Sequence, residues 1–329
     1  MVSEQSSCES ALLVALNSWM GEIDEGKLVG ALLIDLSKAF DTVPHQRLLD
    51  ELEQIGCGCS ALHLFHSYLS DREQRVKQGS EMTAWRDVTR GVPQGSCLSP
   101  LLFNIYVRQL PSNSDSETFQ FADDITHSES NKSEIAVTYK LEDAFRATKD
   151  FCVEHDLVIN TNKTQFIIFK SPNRRLVEGL EILLDDCLIK PSDHVKLLGV
   201  TLDQHLTFGA HIESTVKTCN GILGQLRRAA PHMPRELLRA AYISLIRSHL
   251  EYCSAAFASA SKTQLNKLNI VQKIASRVIC RAPRNSHSAP LLDSLQLESL
   301  ESRRIAHVAK IVRAALKGET HPALHVYSQ

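Results

Sequence analysis

Apolar positions change their spacing repeatedly along this chain, and each change predicts a different element. Between residues 9 and 24 they recur at helical spacing (Leu12, Leu13, Leu16, Trp19, Met20, Ile23) and stop before Gly26. Leu28–Leu36 is nearly all apolar, the pattern of a strand buried on both faces. Helices are predicted over 44–55 and 60–69, separated by Gly56-Cys57-Gly58. Arg72–Lys77 and Thr83–Thr89 alternate like a solvent-facing hairpin around Gly79. A helix over Ser96–Leu110 is entered through Gly91-Val92-Pro93-Gln94-Gly95. Strands over Thr118–Ala122 and Ile125–Ser128 flank Asp123-Asp124, and Ile135–His155 is a long amphipathic helix. Phe166–Phe169, Leu180–Leu184 and Val195–Leu202 read as strands, with Asp185-Asp186 as a turn.

From Phe208 onward the period becomes helical, with segments near 209–228, 234–248, 261–280 and 299–316. The expected organisation is a mixed part over 1–207 and an all-helical part over 208–329. An apolar content of 43% over 329 residues permits one large domain with an appendage, or two domains. The uncharged run Gly91–Val107 contains Pro93, Gln94, Pro100 and Asn104, which suits a bilayer poorly. The apolar stretch Ala11–Leu16 follows acidic residues instead of a basic leader, so the expectation is an intracellular protein, nuclear or cytoplasmic, without a membrane partner. Nine scattered cysteines, with Cys57-Gly58-Cys59 the one close pair, support neither a zinc knuckle nor a disulfide framework.

Charge changes the picture once it is split by position. Residues 221–329 hold 16 Lys/Arg against 6 Asp/Glu, and residues 1–220 hold 20 against 32, giving the net −2. An acidic half joined to a basic half suits a protein with metals in one part and nucleic acid against the other. The candidate chemistry lies in the acidic half. Asp35 closes the apolar strand, and Asp123 and Asp124 sit at the tip of an apolar hairpin between Phe121-Ala122 and Ile125. Burying such charges is unfavourable unless a cation meets them. Mg²⁺ takes hard oxygen ligands and few of them from protein, so three carboxylates on adjacent strand ends predict a site for two Mg²⁺ ions, with Mn²⁺ as a substitute.

These runs carry a resemblance. Ile34–Val43 (Ile-Asp-Leu-Ser-Lys-Ala-Phe-Asp-Thr-Val), Gly91–Asn104, Phe121–Asp124 (Phe-Ala-Asp-Asp), Asn162-Lys163-Thr164 and Leu197–Asp203 stand in an order that resembles the reverse transcriptases of non-LTR (LINE-type) retrotransposons, jockey-like elements in particular. The resemblance implies an α+β fold: a right-hand polymerase palm, an antiparallel sheet packed on helices, with partial fingers, then a helical thumb and C-terminal region. It implies RNA-directed DNA polymerisation, with an RNA template, a DNA primer and dNTPs as partners. Asp35, Asp123 and Asp124 are then the metal ligands, and Lys163 a proton donor near the leaving pyrophosphate. Phe40 and the Gln94-Gly95 pair select the dNTP sugar and base. Gly91 and Pro93 touch template, while Leu198 and Gly199 form a primer grip. Arg227, Arg228, Arg235 and Arg239 contact the duplex backbone, and Asp41 caps the turn after it.

Full-length relatives carry more fingers sequence ahead of the point where this chain begins. The expectation is therefore a chain shortened in the fingers, with a fingers segment or an endonuclease supplied by another chain. Its alternative is a truncated or domesticated palm-and-thumb remnant that binds nucleic acid without catalysis. An RNA-dependent RNA polymerase fits less well, because Ala122 and Phe40 depart from the glycine and the small polar group expected there.

Overall fold

The computed structural model describes residues 7–110, 116–319 and 324. The chain divides into two compact units: Glu22–Ser192 forms the first, and Asp193 onward joins with the N-terminal residues up to Gly21 to form the second. This cut differs from the expected boundary at 207/208. The change of period at Phe208 marks where strands cease, whereas packing assigns the last hairpin and the first helix to the helical unit.

Helix α1 spans Cys8–Asp24 and buries Leu12, Leu16 and Trp19, the positions its spacing singles out. The first unit then runs through β1 (Leu28–Ile34), a single turn α2 (Ala39–Thr42), α3 (His45–Gln54) and α4 (Cys59–Leu69). Four two-residue strands follow: β2 (Glu73–Gln74), β3 (Lys77–Gln78), β4 (Glu81–Met82) and β5 (Arg86–Asp87). They pair as two short separate ladders in place of the continuous hairpin expected. All eight residues are exposed, so no buried face holds a longer register. Arg75 lies 4.3 Å over the Trp85 ring and braces this flap.

Helix α5 (Ser99–Tyr106), strands β6 (Glu117–Phe121) and β7 (Asp124–Asn131), helix α6 (Glu134–Glu154), and strands β8 (Gln165–Phe169), β9 (Ile182–Leu184) and β10 (Cys187–Ile189) complete the unit. Four strands form one antiparallel sheet in the order β6-β7-β1-β8. Central β1 is buried at every position but Leu33, as its unbroken apolar run requires. Helix α6, capped by Ser133, lays Val137, Leu141 and Phe145 on the sheet. It approaches so closely over Gly30 that a Cβ there would come within 2.9 Å of Leu141. The glycine inside an apolar strand is thus a packing requirement.

The second unit adds hairpin β11 (His194–Leu197) and β12 (Val200–Asp203), and helices α7 (Gly209–Ala229), α8 (Arg235–Ala241), α9 (Ser248–Glu251), α10 (Lys262–Ile279), α11 (Ser288–Ser294) and α12 (Leu300–Leu316). The expected helix over 234–248 is interrupted by a π-helical stretch, Tyr242–Arg247, that buries Tyr242 and Ile246. Asp203 organises the turn into α7: its carboxylate accepts from the amides of His205, Thr207 and Phe208 and from the Thr207 hydroxyl. No helix among the described residues is long and apolar enough to cross a membrane.

Candidate active site

Register places the acids. Ile34 pairs with Ile125 across β1 and β7, so Asp35 and Asp124, the next residues outward on antiparallel neighbours, stand at the same end of the sheet. Phe121 pairs with Asp124, leaving Ala122 and Asp123 as a two-residue turn. Ala122 takes a left-handed conformation (φ 54°) that costs a residue with a Cβ about 1 kcal/mol. The exit from β1 is held by the segment before β8: the Ser37 amide donates to Val158 O at 2.7 Å, and the Asn160 amide to Asp35 O at 2.8 Å. That pairing carries Lys163 to the same corner, where its Nζ lies 3.5 Å from Asp35 Oδ2.

Three carboxyl groups against one lysine amine make this corner acidic. Asp35 Oδ2 is buried and accepts no hydrogen bond. The Asp124 carboxyl, though its residue still reaches solvent, is pushed above the usual carboxylate range, first by lost hydration and then by the charges of Asp123 and Asp35. Three neighbouring acids, one of them with ionisation disfavoured by burial and by the other two and another with an orphaned oxygen, offer hard oxygen donors of the kind a divalent cation takes. They do not by themselves close a metal cage: among the described residues no group of three His, Cys, Asp or Glu side chains does. Such an arrangement matches an ion whose remaining ligands come from water or phosphate. The contrast with Asp185-Asp186 is plain. That pair is the turn between β9 and β10, and Asp185 is neutralised by Lys149 at 2.5 Å.

Beneath the acids lies a residue the strand pattern did not reveal. His127, three positions along β7 from Asp124, is wholly buried between the hydroxyls of Thr118 (2.9 Å from Nδ1) and Thr148 (2.6 Å from Nε2). Burial pushes its pKa down to about 4, so the ring is neutral and ties β6, β7 and α6 together. A histidine flanked by Thr126 and Ser128 in a strand that packs on α6 is the only signal the sequence offers.

The loop before α5 is fastened alongside. The Gly91 amide donates to Val43 O and the Val92 amide to Phe40 O, both at 2.8 Å. A Cβ on Gly91 (φ 86°) would meet the Asp41 backbone at 2.7 Å. Gly91 is buried, and the backbone its lack of side chain admits is that of Asp41 in this chain. Gly95 (φ 85°) is the reverse case, exposed with open space on its Cβ side. Pro93 is half-buried, and its carbonyl accepts from the Ser99 hydroxyl at 2.5 Å. Gln94 Nε2 donates to Asp41 Oδ1 at 2.8 Å, so Asp41 holds the loop and does not cap the following turn. Phe40, half-buried, stacks on Phe103 of α5 with ring centroids 4.6 Å apart.

Residues 10–202 match the reverse transcriptase (RNA-dependent DNA polymerase) family. The chain belongs to that family. The reverse transcriptase sheet described above is the palm of a right-hand polymerase, and the family uses divalent metal ions. Among its relatives are the probable RNA-directed DNA polymerase from transposon BS of Drosophila melanogaster, 27% identical over 87% of this chain and 33% of the relative, and the RNA-directed DNA polymerase from mobile element jockey of Drosophila funebris, 24% identical over 93% of this chain and 34% of the relative. The chain thus spans about a third of the length of the curated relatives it matches. Among solved structures, apo telomerase from Candida Tropicalis aligns with a TM-score of 0.46 at 13% identity, over 94% of this chain and 50% of that one. Those are the figures of a distant likeness.

The remaining expected site residues of the reverse transcriptase lie in the second unit. Leu198 and Gly199 form the β11–β12 turn, where the Tyr252 hydroxyl donates to Leu198 O at 2.9 Å and the Tyr252 ring covers Gly199. Arg227 and Arg228 are exposed at the end of α7. Arg235 and Arg239 are otherwise engaged: Arg235 donates to the Ser294 hydroxyl at 2.6 Å, and Arg239 Nε to Leu295 O at 2.7 Å. Arg239 thus serves carbonyls just past the end of α11, while Arg235 is exposed and ties to the Ser294 side chain.

Proposed function

We propose that the chain is the polymerase portion of a jockey-like non-LTR retrotransposon protein, adding dNTPs to a primer 3′-hydroxyl along an RNA template. Asp35, Asp123 and Asp124 would hold two Mg²⁺ ions, for which Mn²⁺ can substitute. Bound there, the ions lower the pKa of the attacking hydroxyl and neutralise charge on the leaving pyrophosphate. Strand register supports this by setting Asp35 and Asp124 at one sheet end, with Asp123 in the adjoining turn. Lys163 Nζ lies beside Asp35 and is the donor proposed for the departing pyrophosphate. The Phe40 ring, fixed by Phe103, is the steric gate against a 2′-hydroxyl. Gln94 and Gly95 present a polar tip and an uncovered backbone to the incoming nucleotide. Leu198, Gly199, Arg227 and Arg228 are proposed to track primer and duplex.

One observation carries this reading: Asp35 and Asp124 share a sheet end with Asp123, while Asp35 Oδ2 is buried and without a hydrogen bond. The test is extension of oligo(dT) on poly(rA) with Mg²⁺ by the chain and by Asp123→Asn. A loss of about a thousandfold in the variant is expected, since a ligand goes without added bulk. Equal extension by both would refute the assignment. Phe40→Val is expected to admit ribonucleotides; unchanged sugar selection would clear Phe40 of the gate.

A further inference from the structure

Within the helical unit a cavity of about 220 Å³ is lined by Leu250, Ser254, Leu300 and the polar side chains of Glu251, Arg303, Arg304 and His307. That is room for roughly seven waters at their liquid volume, or for one tetrahedral oxyanion with water beside it. Its charges are almost all paired. Glu251 accepts two bonds from Arg303 and lies 3.8 Å from Arg247. Glu298 lies 3.7 Å from Arg303, and His307 Nε2 meets Glu9 of α1 at 2.7 Å. The same Glu9 accepts from the Ala255 amide at 3.0 Å.

Arg304 is the exception. Its residue is only 7% exposed, its Nε is buried without an acceptor, and no carboxylate among the described residues lies within 4 Å of its guanidinium. The Phe257 ring, 5.9 Å from its Cζ, attends to one face of the guanidinium and accepts none of its in-plane N–H groups. Burial also works against the charge itself, opposed only by the more distant fields of Glu301 and Glu251. A buried guanidinium with its Nε donor unsatisfied is unfavourable unless something completes it.

We propose that this cavity is an anion site, taking one phosphate-type oxyanion on the fork of Arg304, separate from the polymerase acids. A tetrahedral oxyanion offers the two parallel acceptors a guanidinium fork requires. The buried floor of Leu250 and Leu300 excludes a duplex and leaves two sources: a free phosphate or a terminal phosphate of a nucleic acid strand.

Thermal unfolding of the whole chain, without divalent metal, tests this with inorganic phosphate against chloride at equal ionic strength. A rise in Tm of roughly 5 °C near saturation is expected for wild type. Arg304→Met should lose that response and, without ligand, melt above wild type, because an apolar side chain replaces an uncompensated charge. Asp124→Asn should keep the response, which separates this site from the polymerase corner. A 5′-phosphorylated pentanucleotide that raises the Tm where its 5′-hydroxyl counterpart does not assigns the strand terminus, and a response to phosphate alone assigns the free ion. Should Arg304→Met fail to fold, equilibrium dialysis of labelled phosphate is expected to give one ion per wild-type chain, bound about tenfold more weakly by Arg304→Lys. No phosphate response in wild type, or the same response in wild type and the Arg304 variant, overturns the proposal.

Discussion

The two units treat charge in opposite ways. At the palm corner, like charges are crowded: Asp35, Asp123 and Asp124 share one sheet end with Lys163 nearby, and Asp124 resists ionisation, first through lost hydration and then through its acidic neighbours. In the helical unit, 16 basic residues outnumber 6 acidic ones over 221–329, and several arginines spend donors on neutral carbonyls and hydroxyls of the unit itself. Arg235 donates to the Ser294 hydroxyl, Arg239 to Leu295 O, Arg281 to Ala230 O and Met233 O, and Arg277 to Ser286 O. A regional net charge therefore overstates the charge available to a ligand. Unpartnered groups identify a site; totals do not.

The sharpest way to break this comparison is the Asp123→Asn extension assay, with an expected effect of about a thousandfold. A smaller effect concerns what supports the acids. His127 has its pKa depressed from 6.5 to about 4, so below pH 6.5 the unfolded chain binds a proton that the folded one refuses. The stability that neutral His127 contributes is present above pH 6.5 and is lost as pH falls toward 4, by roughly 3 kcal/mol in all. Urea unfolding from pH 7 to pH 4.5 should show that slope in wild type and a flatter one in His127→Gln. Identical slopes would remove His127 from the account.

Next comes the division among the arginines. Arg239→Ala leaves the Leu295 and Gln296 carbonyls unpaired and should cost about 2 kcal/mol of stability, with the salt dependence of RNA–DNA duplex binding unchanged. The double variant Arg227→Ala/Arg228→Ala should show the reverse: unchanged stability and a log–log salt slope lower by about 2. If Arg239→Ala instead lowers the slope, its guanidinium does reach phosphate. The smallest expected effect is at the hairpin turn. Ala122→Gly relieves a left-handed alanine and should add about 1 kcal/mol to stability, read from the urea midpoint. No gain there would mean that the turn is not strained.

Much of this was legible in one dimension. The buried strand Leu28–Leu36, the long helix over 135–155 and the acid-tipped hairpin all stand where spacing predicts, because burial on a sheet or helix face imposes a period on the chain. Other features had no period to betray them. The flap at 72–89 frays into short ladders because neither face is buried. That Gly91 packs its Cβ side against the Asp41 backbone, fifty residues away, likewise leaves no mark in the local spacing.

Sequence alone determined the family and the order of elements, and it singled out the three acids proposed as metal ligands, since these depend on residue type and local spacing. Only the tertiary structure decided which charges are free. Whether an arginine meets a carbonyl fifty residues away, as Arg239 does, or lies buried without an acceptor, as Arg304 does, depends on contacts between segments far apart in the chain. Hydrogen bonding and desolvation act over a few ångströms of space and are indifferent to separation in sequence.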